Sequence, residues 1–195
     1  MTTEAPSLPA ADAEINQWLD WRPDAALAAK PTVTPAQQRQ AMRRHASAVA
    51  IITAEHQGAR AGLTATAVCS VTADPPRLVV FVNRNVRACN LIVDSGALCV
   101  NLLGQAHQEV AQAFAGAIDG VVGDARFAYG QWTRAVTGSP VLEGALVNFD
   151  CRVVKVFDES THLAFLCEVL DVRNGAVDDA LLYADGGFKS LPLAV

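Results

Sequence analysis

Apolar and polar positions change period several times along the chain, and those changes mark its elements. Residues 1–33 carry Ala, Pro and Thr without a sustained period. One short helix is expected over residues 12–21, closed by Pro23 and bearing Trp18 and Trp21, which would be costly to leave in water. Thr34, Pro35 and Gln37 then form a T-x-x-Q helix start ahead of QQRQAMRRHA. From Ala46 the period falls to two. AVAIITAE reads as a strand, HQGAR as a turn around Gly58, and AGLTATAV as the returning strand of an antiparallel hairpin. RLVVFV has the β-branched and aromatic content of a buried strand and runs into the polar turn NRN. Helical spacing returns over residues 86–94, with Asn85 placed to cap the start and Gly96 to stop the end.

ALCVNLL is a further strand. GQAHQEVAQAFAG is an amphipathic helix that turns Val110, Ala113 and Phe114 inward and ends at Gly116. Residues 117–140 have no period and are expected as irregular loop around Phe127 and Trp132. ALVNFDCRVVKVFDES alternates, residues 158–160 turn, and THLAFLCEVLDVRN returns; ALLYA and FKSLPLAV flank a tight DGG turn. About seven strands with hairpin connections and two or three helices predict a mainly β chain, an antiparallel barrel with helical inserts and not a βαβ array. Residues 1–33 are expected as a partly ordered extension and residues 34–195 as the single folded body.

Composition supports one body. A chain of 195 residues, 51% hydrophobic and 18% charged, can bury one large core but not two. A net charge of −5 with scattered Lys and Arg argues against a nucleic-acid partner. No apolar run reaches the roughly 18 residues that span a bilayer, and the start MTTEAPSLPAADAEI lacks a signal-peptide pattern, so the expectation is a cytoplasmic protein with no membrane contact. Five cysteines without a CxxC pair fit reduced thiols: Cys69, Cys99, Cys151 and Cys167 lie in apolar runs as small hydrophobes, with Cys89 nearer the surface.

Dinucleotide-fold, P-loop, zincin and nucleophile-elbow motifs are all missing. His45, His56, His107 and His162 are too dispersed to propose a metal site, and no carboxylate pair stands out for acid–base work. A bound cofactor is therefore expected to carry any chemistry, with no catalytic side chain. The stretch from Gly62 to Arg87 is where it would bind. Thr64, Thr66 and Ser70 alternate with small apolar residues, so a flat polar ligand could lie close against backbone N–H groups and hydroxyls. The helix start that follows offers free N–H groups and a positive dipole end, with Arg84 and Arg87 beside it, and suits a phosphate. An ordinary edge strand and a routine helix cap are the alternatives at those two places.

Taken in order, GLTATAVCSVTADPP, VNRNVR, SGALCVNLL, the helix ending AFAG, ARF, TGSPVLEGAL, THLAFLCEV and LLYADGGFKSL resemble the short-chain flavin reductases. These are FMN-binding split β-barrel proteins that include the reductase component of 4-hydroxyphenylacetate 3-monooxygenase. The resemblance covers about residues 38–191. It implies a homodimer that uses NADH or NADPH to reduce FMN or FAD and hands reduced flavin to a separate oxygenase. It also implies residue roles. Thr64, Ala65 and Thr66 would meet the isoalloxazine edge and Ser70 the ribityl chain or first phosphate. Asn83, Arg84, Asn85 and Arg87 would hold the phosphate end, with His162 and Phe188 on the nicotinamide side. Two departures stand out. Relatives often carry Ser or Thr where this chain has Asn85 and Arg87, and a Gly-Asp-His pattern where it has Ser160, Thr161 and His162. Two other readings share the resemblance: a flavin carrier without reductase activity, and a same-fold reductase acting on a corrinoid or ferric acceptor.

Overall fold

The computed structural model describes residues 24–175 and 179–193. The chain divides into two compact units, residues 1–40 and residues 41–195. The expected helix over residues 12–21, with its two tryptophans, lies outside the described residues. In the first unit Asp24 caps the short helix α1 (Ala25–Ala28) through a 2.8 Å bond from the Ala26 N–H. The helix α2 (Pro35–Met42) starts with the capping box read from the sequence. The Thr34 N–H donates to Gln37 Oε1 at 2.9 Å, and the Gln37 N–H donates back to Thr34 Oγ1 at 3.3 Å.

The second unit is an antiparallel barrel. Its strands in chain order are β1 (Ser47–Ala48), β2 (Ala50–His56), β3 (Ala59–Ala65), β4 (Val68–Ala73), β5 (Pro76–Asn83), β6 (Ala97–Leu102), β7 (Trp132–Arg134), β8 (Pro140–Leu142), β9 (Val147–Glu159), β10 (His162–Asn174), β11 (Ala180–Ala184) and β12 (Gly187–Leu191). Seven of them form one sheet in the order β3-β2-β6-β9-β10-β5-β4, and β1-β11-β12 form a second. The two edge strands of the seven-stranded sheet, β3 and β4, are consecutive in the chain but not laddered to each other. The sheet therefore curls until its edges meet through Thr66 and Ala67, leaving the barrel split there. Val49 hands the chain from one sheet to the other: its N–H donates to the Leu181 carbonyl, and its own carbonyl accepts from the Leu103 N–H.

Two helices cover the barrel. Helix α3 (Arg87–Ser95) buries Ala88, Cys89, Leu91 and Ile92 against the sheet and ends on Gly96 in the left-handed conformation. Burying Ile92 alone is worth about 1.5–3 kcal/mol. Helix α4 (Gln108–Ala115), entered through a 3₁₀ turn at Gln105–His107, buries Val110, Ala111, Ala113 and Phe114. It approaches β3 closely because Gly62 has no side chain. A Cβ there would lie 2.7 Å from Phe114 Cε1 and 3.0 Å from the Ile52 carbonyl oxygen. Phe114 thereby joins Phe127 and Trp132 in an aromatic cluster with ring centroids 5.0–5.4 Å apart.

Several expectations are corrected. AGLTATAV is not one strand, because the ladder stops at Ala65 and resumes at Val68. Residues 117–140 are not all loop: Gly123–Ala128 is a 3₁₀ turn, and β7 pairs with β8. The apparent irregularity hid a buried polar network. The Asp150 carboxylate accepts from the Thr137 N–H at 2.7 Å, and Asn101 Oδ1 accepts from the Leu142 N–H at 2.8 Å, tying this segment to the sheet. The β9–β10 turn falls at Ser160 and Thr161, one residue later than read, with Ser160 at φ 53°. Cys69 is exposed and Cys89 buried, the reverse of the expectation. Cys69 sits on an edge strand and lines a cavity open to solvent, whereas Cys89 lies on the inner face of α3.

Candidate active site

One cavity lies along β4 and a second along β3. The larger, about 690 Å³, is mainly apolar and runs along β4; Thr66, Ala67, Val68, Cys69 and Ser70 line it together with Leu78 of the neighbouring strand, Phe149 and Val169. Thr66 and Ser70 are exposed, and among the described residues their hydroxyls have no hydrogen-bond partner. As an edge strand, β4 also leaves alternate backbone N–H groups free of the ladder.

The smaller cavity, about 420 Å³, is polar. Gly62, Leu63 and Thr64 of β3 form its floor, Val86, Arg87 and Ala88 at the start of α3 one wall, and Phe114, Arg126 and Arg60 the others. Its electrostatics are one-sided. Arg87, at the first position of α3, makes no hydrogen bond or ion pair among the described residues. Arg126 has its Nε buried without a partner, and its Nη1 reaches only the Gly62 and Phe114 carbonyls at 3.5 and 3.4 Å. Val86 stands at the N-cap with no side-chain bond, and the Cys89 N–H is taken by the Val86 carbonyl at 3.0 Å, so the Arg87 and Ala88 N–H groups of the first turn keep their donor capacity for a ligand. Arg60 alone is satisfied. It binds Asp124 through Nε at 2.6 Å and Nη2 at 3.1 Å and lies over the Phe127 ring at 4.3 Å. That hydrogen bond raises the Arg60 pKa and holds the Asp124 carboxyl below its ordinary range. A buried guanidinium edge without an acceptor is costly, and a phosphate would supply one.

The two cavities meet in sequence at Ala65, which is buried between Thr64 and Thr66. The residues singled out in the sequence distribute as follows. Thr66 and Ser70 line the apolar cavity. Thr64 and Arg87 line the polar one, though the Thr64 hydroxyl donates to the Ala111 carbonyl at 2.6 Å and serves the α4 contact. Asn83 does not face either cavity; its Oδ1 accepts from the Asn85 N–H at 2.9 Å. That turn moves the helix start one residue on, so Asn85 is not the N-cap expected and Val86 takes the position. Arg84 forms an ion pair with Asp158 on the exposed end of β9. His162 heads β10 directly across from Asn83, its Nδ1 sharing a 2.8 Å hydrogen bond with Thr161 Oγ1. Phe188 packs edge-on to Tyr183, centroids 5.4 Å apart, outside both cavities.

Arg60 and Arg126 were missed by sequence reasoning. Their one signal was the ARF tripeptide, which places Arg126 beside the buried Phe127 that Arg60 covers. The interior thiols take no part. Burial pushes the Cys167 pKa up to about 12, and burial also raises those of Cys99 and Cys151, so all three stay protonated at neutral pH. Among the described residues no group of His, Cys, Asp and Glu could hold a metal ion, and no helix is long and apolar enough to cross a membrane.

Comparison with known proteins bears directly on this pair of cavities. An FMN reductase (NADH), RutF, of Variovorax paradoxus is 44% identical over 163 residues, which span 84% of this chain and 89% of the relative. The protein of the same description from Pseudomonas syringae pv. syringae is 43% identical over 154 residues, 79% of this chain and 85% of its own. Among solved structures, the flavin reductase PheA2 superposes with a TM-score of 0.74 at 29% identity, covering 83% of this chain and all of the other. BorF, the flavin reductase component of a bacterial two-component tryptophan halogenase, gives 0.75 at 27% identity, again over 83% of this chain and all of its own. The family described as the flavin reductase-like domain matches residues 42–192, which takes in every strand of the barrel and both cavities. The chain belongs to the flavin reductase-like domain family, with its split-barrel fold.

Proposed function

We propose that this protein is an NADH-dependent flavin reductase whose preferred flavin is FMN. The observation that carries the reading is an apolar cavity edged by free hydroxyls and a polar cavity holding Arg87, unpartnered among the described residues, and the buried Nε of Arg126, with Thr66 and Thr64 of one short stretch lining the two. FMN combines a flat, largely apolar ring system with a terminal phosphate, and the donor set fits both ends. Relatives named for NADH-dependent FMN reduction, at 43–44% identity over most of their length, support the same reading.

A bound flavin would supply the acceptor for a hydride from NADH, with a proton from solvent completing its reduction and NAD⁺ leaving. The chain's part is to bind, orient and exclude water. Thr66, Ser70 and the unladdered N–H groups of β4 are donors for the polar edge of the ring, where reduction builds negative charge. Leu78, Phe149 and Val169 give the cavity an apolar lining that keeps water from the ring. Arg87, Arg126 and the Arg87 and Ala88 N–H groups of α3 hold the phosphate, a dianion for which two guanidinium groups without a carboxylate partner are a matching charge. No side chain is asked to move a proton in the transfer.

His162 and Phe188 are assigned to the nicotinamide side. Both lie outside the cavities of a single chain, which fits a nicotinamide site completed by a second copy. A homodimer is further supported by exposed apolar residues along β9 and β10, among them Val154, Val156, Phe157 and Leu170. The likeness to BorF supports a last step, delivery of reduced flavin to a separate oxygenase component. The test is steady-state NADH consumption with and without added FMN. Oxidation that depends on FMN and saturates with it is expected; FMN binding without NADH oxidation would leave only a flavin carrier.

A further inference from the structure

We infer that Asp124 is a specificity-determining residue: it stands beside the polar cavity, next to the lining residue Gly123 and bound to the lining residue Arg60, and disfavours a flavin dinucleotide relative to the mononucleotide. The inference rests on the phosphate assignment made above. Arg60 is a wall of that cavity, with a side chain 33% exposed, whereas Asp124, which grips it through both oxygens, is 69% exposed. The carboxylate therefore lies on the solvent side of the guanidinium. Gly123, next to it, lines the cavity directly.

The consequence follows from where the charges can go. A terminal phosphate ends inside the cavity, on Arg87, Arg126 and the α3 N–H groups. The route outward past Gly123 brings anything joined beyond that phosphate to Asp124. There a second phosphate would meet a carboxylate. Arg60, the cation bound to that carboxylate, is already committed to it, and stacking on Phe127 keeps it from swinging toward a ligand. The arrangement makes Arg60 a fixed wall and not a ligand, and it puts negative charge where only the dinucleotide has negative charge. Asp124 also lies within the field of Arg87, which helps hold its carboxyl ionised at neutral pH. The inner phosphate is farther from Asp124 than the outer one, so the carboxylate weakens FAD more than FMN.

Dissociation constants for riboflavin, FMN and FAD, measured by flavin fluorescence quenching on the full chain, test this in the wild type, Asp124→Asn and Asp124→Glu. Asp124→Asn removes the charge at nearly constant size, and at an exposed position it leaves the fold intact. The preference for FMN over FAD should fall by about threefold or more in Asp124→Asn, the scale of one partly screened charge interaction, and persist in Asp124→Glu. Riboflavin should bind alike to all three. An unchanged FMN-to-FAD ratio in Asp124→Asn, with FMN still bound more tightly than riboflavin, overturns the inference alone. Equal loss of preference in both variants overturns it too, since charge would then not be the cause. Riboflavin binding as tightly as FMN to the wild type overturns the phosphate site beneath it.

Discussion

Replacing Arg126 by alanine separates a ligand-binding arginine from a structural one. In the free protein its guanidinium makes only two long contacts, 3.4 and 3.5 Å, and its Nε has no acceptor, so the fold gains little from it. A phosphate would convert that guanidinium into a donor of charge-assisted hydrogen bonds in a half-buried setting. Such bonds contribute about 1.5–3 kcal/mol, so Arg126→Ala should weaken FMN by about 10- to 150-fold. Riboflavin, which has no phosphate, should lose less than about threefold. Arg84→Ala is the matched control: its guanidinium is already taken by Asp158 and faces neither cavity. FMN affinity in that variant should stay within about threefold of wild type, the range of an exposed ion pair. Isothermal titration of each flavin against the three proteins gives the numbers, and melting temperatures check that Arg126→Ala folds. Equal weakening of FMN and riboflavin in Arg126→Ala, or a larger FMN loss in Arg84→Ala, would refute this placing of the phosphate.

Three further outcomes test neighbouring parts of the account. Among the five thiols, Cys69 alone is exposed, so the native protein should react quickly with one equivalent of an aromatic disulfide reagent, and saturating FMN should slow that reaction if the ring lies along β4. Gly62→Ala should destabilise the fold by about 1–3 kcal/mol, seen in denaturant unfolding, because the new methyl group would press on Phe114 and the Ile52 carbonyl. Glu168, bound by Arg77 at 2.7 Å and Arg152 at 2.6 Å, has a pKa lowered first by Arg77 and then by Arg152. A depressed carboxylate stabilises the fold above its unfolded pKa and ceases to do so as pH falls through the folded one. The gap in melting temperature between wild type and Glu168→Gln should therefore be open at neutral pH and close below about pH 4.

The sequence was most legible where local pattern decides the structure. The capping box at Thr34 and Gln37, the Gly58 hairpin turn, Gly96 and Gly116 as helix stops and the inward face of α4 all follow from spacing within a few residues. Legibility failed where a distant partner decides. LTATAV alternates well enough to read as one strand, and its break comes from the two edges of a seven-stranded sheet meeting at Thr66 and Ala67. Arg84 and Arg87 look equivalent along the chain, yet Asp158, 74 residues on, withdraws one of them. Arg60 and Arg126 are 66 positions apart and have no shared pattern; they converge because Gly62 lets α4 approach β3 and Phe127 packs beneath Arg60. Asp150 and Thr137 show the same limit, since a buried carboxylate that orders a loop carries no periodic signal.

The central claim is reduction of bound flavin by NADH, and its most direct test is an anaerobic single turnover. Protein loaded with FMN is mixed rapidly with NADH while absorbance is followed near the flavin and nicotinamide bands. The account predicts bleaching of the flavin in step with loss of NADH, one for one, at a rate that saturates with NADH and far exceeds that of free FMN. Loss of NADH absorbance without flavin bleaching, or bleaching no faster than in protein-free solution, would contradict it.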